Sequence, residues 1–554
     1  MNKKFADLIP PNSKIVIEFI DEDSNINDEN VLGLKEKFLQ INPDCQYIIS
    51  NNFDLNCDKA DAILFDSPSF GALSIKRLTN LINKVSDYLK NDGQMIFILD
   101  NVSYADNITA LINGEAPAVK ATMTLDKLLN VVSRANMTIL KTFSFAKETV
   151  IKRAIAEVAK AKLNIANYAV CAMKTVEANK IDNKLIQSYL GETLVCAGIR
   201  VIDPNKFIST KPKVQIISNS SKEPLHLSEI EGKKVFINQR TSTGDRDSGI
   251  KLFNTIADSG YLYIEEMDDN PILWRQKHES SEFVDFIAAH AIQTSTKPLA
   301  EFFKQFNPNV RIFENQLKEL PLHRNLAEEA AKNEPVTIFF GALNREKDLM
   351  EYLPALNRIA AEYGNNILFK IIAKTQFFDA IESKNKIFIG SKDVYNGQYV
   401  PFEVYEQTLH TSHISLLPLR DNVFNRSKSD LKFIECAGNG AVVLASPTVY
   451  SNTVKDGETG FIYHDVKEFY NKLKILINNK SKRIEMAENA YNYVKHNRLL
   501  SQHYEERWNW YNELLDKLPE LNKETQKRIS ILKDKGASVF GGFGDIKERA
   551  DVFD

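Results

Sequence analysis

Residues 427–463 decide the fold expected for this chain. They begin with S-K-S-D-L-K-F-I-E-C-A-G-N-G-A-V-V-L-A-S, Ser427 to Ser446, and end with V-K-D-G-E-T-G-F-I-Y, Val454 to Tyr463. The pattern predicts an amphipathic helix, a glycine turn, a buried strand over residues 441–445 and a second glycine turn. Helix, turn and strand in this order predict one edge of a doubly wound parallel sheet, where ligands bind at strand and helix ends.

The composition of the whole chain predicts an α/β protein of several domains. Its 554 residues exceed what one core usually supports, so we expect about three domains. A net charge of -3 gives no case for nucleic-acid binding. No run approaches the ~18–20 apolar residues of a membrane helix, and the N-terminus lacks the apolar core of a signal peptide. The cysteines are scattered, which predicts reduced thiols and no metal site. We therefore expect a cytoplasmic location, which includes a peripheral position at the inner face of the membrane.

The stretch 427–463 resembles the donor-binding segment of GT-B glycosyltransferases of the large retaining family, the glycosyl transferases group 1. That family carries S-x-x-K-x-x-E-x-x-A-x-G-x-P-V-V-A-S and, later, D-G-x-x-G. The resemblance covers roughly residues 198–515. It implies a retaining, metal-independent glycosyltransferase that moves a sugar from a nucleotide-sugar to a glycan, lipid-linked or protein hydroxyl. A UDP-sugar is the donor by family frequency, and no further cofactor or metal is implied.

The same resemblance implies a set of donor-binding residues. Glu435 is expected to accept hydrogen bonds from ribose hydroxyls, while Ser427 stands where the family carries an earlier glutamate. Related members use the pattern seen here in Ser429-Asp430-Leu431-Lys432. Lys432 lies one helical turn before Glu435, where it either points at the diphosphate or forms the polar face of the helix. The donor-binding candidates are Gly341, Asn344, Ser429, Asp430, Lys432 and Glu435.

A phosphate site is expected after the apolar strand Val336 to Phe340. The following G-A-L-N-R-E-K-D, Gly341 to Asp348, occupies the place of the family's G-R-x-x-x-x-K-G. A fixed cation there stabilises the charge that develops on a leaving diphosphate. Lys347 is the first candidate, and Arg345 is the candidate replacement for the missing arginine.

Residues of the preceding domain are candidates on the acceptor side. Asp268 and Asp269 end the strand pattern G-Y-L-Y-I-E-E-M-D-D-N-P, so they either face the crevice of a parallel sheet or form an ordinary turn. Thr294 to Thr296 predict a helix N-cap. His278 and His290 have no partner at a defined spacing and are expected to be structural. The catalytic candidates are Lys347, Arg345, Asp268 and Asp269.

The N-terminal segment K-A-D-A-I-L-F-D, with the later L-I-N-K-V-S-D-Y-L-K-N-D-G-Q-M-I-F-I, resembles a class I S-adenosylmethionine-dependent methyltransferase. The family's binding glycines are replaced by Ile20 and Glu22, whose side chains would block close backbone approach to the cofactor. We therefore expect an inactive domain that serves docking or assembly. A helix from Leu73 to Lys90, stopped by Asn91-Asp92-Gly93, and a short helix ending at Leu190 are also expected.

The expected architecture is α/β, with three Rossmann-like domains, the last two forming a GT-B pair, plus a C-terminal tail. Terminal helices carrying Trp508 and Trp510 should cross back to the first half of the pair. The tail is expected to be flexible or ordered by a partner chain. A protein partner or self-association is expected at residues 1–178 or at the tail.

Two alternatives to a glycosyltransferase function are a non-catalytic scaffold of a glycosylation complex and a bifunctional methyltransferase-glycosyltransferase. The expected segments are 1–178 (methyltransferase-like), 179–197 (linker), 198–331 (acceptor half), 332–515 (donor half) and 516–554 (tail).

Overall fold

The computed structural model divides the chain into two compact units. The first comprises Met1–Ile186, Asn205–Ile217 and Glu229–Lys233, and the second comprises Gln187–Pro204, Ser218–Ser228 and Lys234–Asp554. The structure describes residues 2–20, 26, 29–53, 55–66, 70, 73–101, 123–146, 165–191, 195–332, 334–341, 345–372, 375–390 and 400–544.

The first sheet has six strands in the order β2-β1-β3-β4-β6-β5. Strands β1 to β4 pair in parallel, and β6 is antiparallel to both β4 and β5. Phe65 stacks between Phe19 and Phe97, with ring centroids 5.4 and 5.1 Å away. The strands are β1 (Ile15–Phe19), β2 (Gln46–Ser50), β3 (Ala60–Asp66), β4 (Leu89–Asp100), β5 (Met137–Ala146) and β6 (Ile165–Lys174). The helices are α1 (Glu29–Ile41), α2 (Ile75–Val85), α3 (Leu125–Arg134) and α4 (Thr175–Ala178).

The helix expected over Leu73 to Lys90 is wrong at its C-terminal end. Its buried residues, Leu78, Ile82 and Val85, stop at the end of α2. Leu89 is buried as the first residue of β4, where it pairs with Ala60 beside an irregularity in the register. The Asn-Asp-Gly segment therefore lies in an irregular strand and not at a helix stop, because burial of Leu89 in the core outweighs the local turn signal. The helix expected over Glu148 to Leu163 lies outside the described residues.

The second sheet has six strands in the order β8-β7-β9-β10-β11-β12, and β9 to β12 pair in parallel. The short helix expected before Leu190 is wrong, since these residues form β7. The side chain of Gln187 in this strand is buried because it bonds with His226, Tyr261 and Ser228, partners that only the tertiary structure provides. The strands are β7 (Lys184–Leu190), β8 (Val214–Ser220), β9 (Lys233–Gln239), β10 (Tyr261–Glu266), β11 (Ala291–Thr294) and β12 (Val310–Ile312). The helices are α5 (Val195–Ala197), α6 (Asp203–Ile208), α7 (Arg246–Asp258), α8 (Arg275–Ser280), α9 (Val284–Ile287) and α10 (Lys297–Phe303).

The third sheet is parallel throughout, in the order β15-β14-β13-β16-β17-β18. Numbered within the sheet, this is the order 3-2-1-4-5-6 of the doubly wound nucleotide-binding fold. The predicted fold class is confirmed. The strands are β13 (Val336–Phe340), β14 (Ile367–Ile372), β15 (Lys386–Ile389), β16 (Ile414–Leu417), β17 (Val442–Ala445) and β18 (Phe461–Ile462). The helices are α11 (Leu326–Ala331), α12 (Glu346–Met350), α13 (Leu353–Tyr363), α14 (Thr375–Ala380), α15 (Phe402–His410), α16 (Val423–Arg426), α17 (Leu431–Gly438) and α18 (Pro447–Tyr450).

Four long helices complete the second unit, and one of them returns to its second sheet as expected. The Trp510 ring meets Phe313 edge-on at 5.5 Å, and the Tyr511 hydroxyl donates to Gln293 in β11. The helices are α19 (Val466–Asn478), α20 (Lys480–Asn497), α21 (Leu500–Asp516) and α22 (Leu518–Lys535). No helix in the described parts of the chain is long and apolar enough to cross a membrane.

The expectation of a flexible tail is wrong for residues 518–544. Leu521, Ile529 and Leu532 lie buried along one side of α22. The Arg528 guanidinium donates to the carbonyls of Ile287 and Ala289, at 3.0 and 2.7 Å. The helix is thus held by hydrogen bonds to carbonyls at and just after the end of α9, as well as by apolar burial. The few apolar residues of this segment suffice because they share one helical face.

Candidate active site

The third sheet places its ligand crevice between β13 and β16. Strand order reverses there, and ligands of such sheets bind outside the carboxyl ends of the strands. Gly341 follows β13, and a Cβ at this position would lie 2.0 Å from the Phe339 ring. Arg345 precedes α12 and donates to Asp348 at 3.1 Å and to Asn425 at 2.8 Å. The predicted Gly341 and Arg345 therefore both lie at the expected edge.

The other residues predicted on this loop are placed differently. Lys347 lies in α12 with its side chain exposed. Asn344 lies outside the described residues. The buried carboxylate of Asp348, which stands where the family has glycine, accepts from the Arg420 side chain at 3.0 Å as well as from Arg345. Arg345 and Arg420 thus flank one carboxylate beside the crevice.

Asp268 and Asp269 follow β10 and are bound by two cations. Arg240 donates to Asp268 at 2.6 Å and to Asp269 at 2.8 Å. Lys428, from the other half of the second unit, forms an ion pair with Asp269. Burial alone would raise the pKa of Asp269, but the positive charges of Lys428 and Arg240 outweigh it and hold the pKa below its ordinary value. The two aspartates are therefore held by ion pairs where the two halves of the second unit meet.

Arg240 holds these aspartates from a strained position. Its φ of 52° lies in the left-handed region, which residues with a side chain rarely adopt. Its backbone N–H donates to the Glu266 carbonyl, and its guanidinium lies over the Trp274 ring at 5.9 Å. Such strain persists where the surroundings fix it, and it is often found at functional sites.

Ser427 joins the two halves of the second unit. The side chain of Asn270 donates to the Ser427 hydroxyl at 2.9 Å, and the Thr296 hydroxyl donates to the Ser427 carbonyl at 3.0 Å. Thr296 occupies the N-cap position of α10, as expected, but its side chain makes no capping bond to that helix. The Thr296 hydroxyl instead bonds to the carbonyl of Ser427 in the other half of the unit.

The next two donor candidates also make contacts that stabilise the fold. Asn315 donates to the Ser429 hydroxyl at 2.8 Å. Asp430 forms a two-point ion pair with Arg498, at 2.5 and 2.9 Å, and accepts a bond from Thr453. The Asp430 carboxylate is therefore satisfied by protein partners.

Glu435 lies on α17 beside a cavity. Its carboxylate is 5% exposed and accepts from the Tyr405 hydroxyl and the Lys432 ammonium, both at 2.9 Å. Among the described residues, Tyr405 and Lys432 both donate to the same oxygen of Glu435, Oε2. Burial, reinforced by the charge of Glu435, raises the pKa of the Tyr405 phenol well above its ordinary value, so the phenol donates. The cavity measures about 820 Å³ and is lined by Glu435, Tyr405, Phe402, Asn439, Leu317 and Ile199, among others.

Tyr450 connects the crevice with the helix that carries Glu435. Burial raises the pKa of its phenol, the charge of Arg345 lowers it, and the charges of Asp430 and Glu435 raise it. Arg345, Asp430 and Glu435 therefore all lie within electrostatic reach of one buried side chain. The structure brings together residues that the sequence separates by about ninety positions.

Four side chains of the site were not predicted, namely Lys428, Arg240, Arg420 and Tyr405. Lys428 directly follows Ser427 in the quoted stretch, and Arg240 directly follows β9 in the polar run N-Q-R-T-S-T. Arg240 and Arg420 come shortly after strand ends, a signal that could have found them, and Lys428 lies within the stretch that resembles the donor-binding segment. Tyr405 carries no such signal, since its contact with Glu435 depends on how α15 packs against α17.

His278 and His290 are buried, as expected of structural histidines. Burial lowers the pKa of each imidazole to about 4. His290 Nδ1 accepts from the Tyr263 backbone N–H at 2.8 Å, and Nε2 lies 2.9 Å from the Asn522 side-chain oxygen. Neutral His290 therefore ties β10 to α22.

Residues 369–515 match the family model described as glycosyl transferase-like. The match begins within β14, ends within α21 and contains Lys428, Lys432 and Glu435. It covers less than half of the chain. Over these residues it agrees with the predicted class of enzyme, a glycosyltransferase. No curated protein matches the chain.

Solved glycosyltransferase structures are similar to this chain at low identity. HepE of Anabaena, solved with UDP and glucose, is 11% identical, with a TM-score of 0.42, over 60% of this chain and 100% of that one. Sucrose-phosphate synthase of Thermosynechococcus elongatus is 11% identical, with a TM-score of 0.41, over 60% and 100%. TarM of S. aureus, solved with UDP, is 13% identical, with a TM-score of 0.37, over 50% and 55%. This chain thus spans little more than half the length of TarM. The fold class rests on the strand order of this chain's own sheets.

Proposed function

We propose that this chain is a retaining, metal-independent glycosyltransferase that moves a sugar from a UDP-sugar to a glycan, lipid-linked or protein hydroxyl. The observation that carries the proposal is the gathering of cations at the crevice of the third sheet. Arg345 follows β13, Arg420 follows β16, Lys428 comes shortly after α16, and Glu435 lines a cavity. A parallel sheet of this strand order binds nucleotides at this edge.

Each part of the donor has a matching group in this arrangement. Ribose hydroxyls would donate to Glu435, whose Oε2 is already oriented by Tyr405 and Lys432. The diphosphate would lie near Arg345 and Lys428. Fixed cations of this kind stabilise the charge that develops on the leaving nucleoside diphosphate as the bond to the sugar breaks.

Asp268 and Asp269 lie on the acceptor side of the same cleft. Their contacts with Arg240 and Lys428 fix their positions before any substrate binds. Fixed positions favour transfer because the reacting groups then need no further ordering. Lys347, exposed on α12, has a supporting role in phosphate binding in this proposal.

The test is a screen of UDP- and GDP-sugars with the purified full chain, with and without EDTA, measuring nucleotide release. We expect release from a UDP-sugar that persists in EDTA, and a product whose anomeric configuration by NMR equals that of the donor. Loss of release in EDTA would refute metal independence. An inverted anomer would refute retention.

A non-catalytic scaffold is the second candidate. Ser427 and Asp430, in the donor-binding stretch, are bonded to Asn270 and Arg498, so their side chains already stabilise the fold. Isothermal titration with UDP and GDP separates the two functions. Absence of binding by either nucleotide would favour the scaffold.

The first unit is proposed to be an inactive methyltransferase-like domain for docking or assembly. Ile20, directly after β1, is buried where a cofactor would need close backbone approach. S-adenosylmethionine should therefore cause no thermal shift of the full chain, and a clear shift would support the bifunctional alternative. A cytoplasmic location remains a prediction, to be checked by cell fractionation.

A further inference from the structure

The Asp269 carboxylate lies among cations from both halves of the second unit. Arg240 binds Oδ2 at 2.8 Å, and Lys428 binds Oδ1. Arg345 is near enough for its charge to act on the same carboxylate. Only 13% of the Asp269 side chain is exposed, so these charges interact through protein more than through water.

The described ion pairs around Asp269 and the crevice form two clusters. One cluster joins Arg240 and Lys428 to Asp268 and Asp269, and the other joins Arg345 and Arg420 to Asp348, so the described residues contribute four cations and three carboxylates. Asp348 and Asp268 are each held within their own half of the unit. Asp269 alone among these three is bound by a cation of each half, and Lys428 is the residue that bridges them.

Lys428 is positioned by more than its ion pair. Its ammonium lies over the Phe424 ring, 4.3 Å from the centroid, and its side chain is 25% exposed. The ring orients the ammonium without neutralising it. Lys428 can therefore exchange one anion for another with little movement.

We propose that Asp269 is an internal counter-ion that occupies the diphosphate position of this cleft, and that the donor diphosphate replaces it as the partner of Lys428. The inference rests on the proposed function. A carboxylate held by two cations satisfies the same donors that a phosphate oxygen would use. Binding of the donor would then break the Lys428–Asp269 pair, which joins the two halves, and leave Asp269 held by Arg240.

The test is isothermal titration of the full chain with UDP and, separately, with inorganic pyrophosphate. Asp269→Asn removes the competing charge at nearly constant shape, so both ligands should bind about tenfold more tightly. Asp269→Glu keeps the charge and should bind both like the parent chain. Asp247→Asn is the matched control, because Asp247 is 81% exposed on α7 and should change neither affinity.

A double variant tests whether Asp269 acts through Lys428. Lys428→Met should weaken binding of both ligands about tenfold, and Asp269→Asn should give little gain in the Lys428→Met background. Unchanged or weaker binding by Asp269→Asn, with an unfolding temperature close to that of the parent chain, would overturn the inference.

The two ligands also separate this inference from the proposed function. If no nucleotide binds but pyrophosphate binds more tightly to Asp269→Asn, the counter-ion inference stands and the proposed function fails. If UDP binds every Asp269 variant equally, the proposed function stands and the inference fails. If neither ligand binds any variant, both are refuted.

Discussion

Replacing Glu435 with alanine should remove most of the affinity for the donor nucleotide while the chain still folds. The carboxylate is 5% exposed, and its Oε2 is held by Tyr405 and Lys432, so a ligand hydroxyl would reach it in a fixed position. A hydrogen bond to a charged group contributes about 1.5–3 kcal/mol. Loss of one or two such bonds to the ribose should cost about 2–4 kcal/mol, which weakens binding roughly 30- to 1,000-fold.

The free energy of unfolding should fall by a similar or slightly smaller amount, which still leaves the chain folded. Without the carboxylate, water reaches the ammonium of Lys432, whose side chain is 37% exposed, and the buried Tyr405 hydroxyl loses its acceptor. One unsatisfied buried hydroxyl costs about 1–3 kcal/mol.

Isothermal titration with UDP measures the effect, with thermal unfolding as the check on folding. Glu435→Gln keeps an acceptor for Tyr405 and should lie between the alanine variant and the parent chain. Glu458→Ala is the control, because Glu458 is 57% exposed in the following glycine turn and should change affinity less than twofold. If Glu435→Ala binds UDP as tightly as the parent chain, the assignment of Glu435 to the donor site is refuted.

Three further predictions concern stability. Burial lowers the pKa of His290 to about 4 from 6.5, so the unfolded chain takes up the proton first. As the pH falls from 7 to 5, His290 should therefore lower the free energy of unfolding by about 2 kcal/mol. In urea unfolding, the stability of His290→Gln should depend less steeply on pH. Arg498→Lys breaks the two-point pair with Asp430 and should cost about 2–4 kcal/mol, and an unchanged urea midpoint would contradict this. Arg528→Ala loses two bonds to carbonyls and should cost about 1–3 kcal/mol, and an unchanged unfolding temperature would show that α22 contributes little.

The elements of the third sheet could be predicted because their signals are local. Val336 to Phe340, Ile367 to Ile372 and the helix before Gly438 show the expected periodicity, and each forms where predicted. The strand at Lys184–Leu190 could not be predicted, because Gln187 is buried only through partners distant in sequence. The docking of α22 depends likewise on the carbonyls of Ile287 and Ala289.

The sequence by itself determined the fold class and the chemistry available in the stretch 427–463. Apolar periodicity, glycine turns and the residue types around Glu435 are properties of neighbouring residues. They can therefore be recognised in the sequence without knowledge of the fold. Only the tertiary structure decided what each charged side chain faces. In the folded chain Asp430 forms an ion pair with Arg498, and Ser427 accepts a hydrogen bond from Asn270. Asp269 forms ion pairs with Arg240 and Lys428. The physical reason is that electrostatic interactions depend on distance and burial in space, and a local sequence pattern specifies neither.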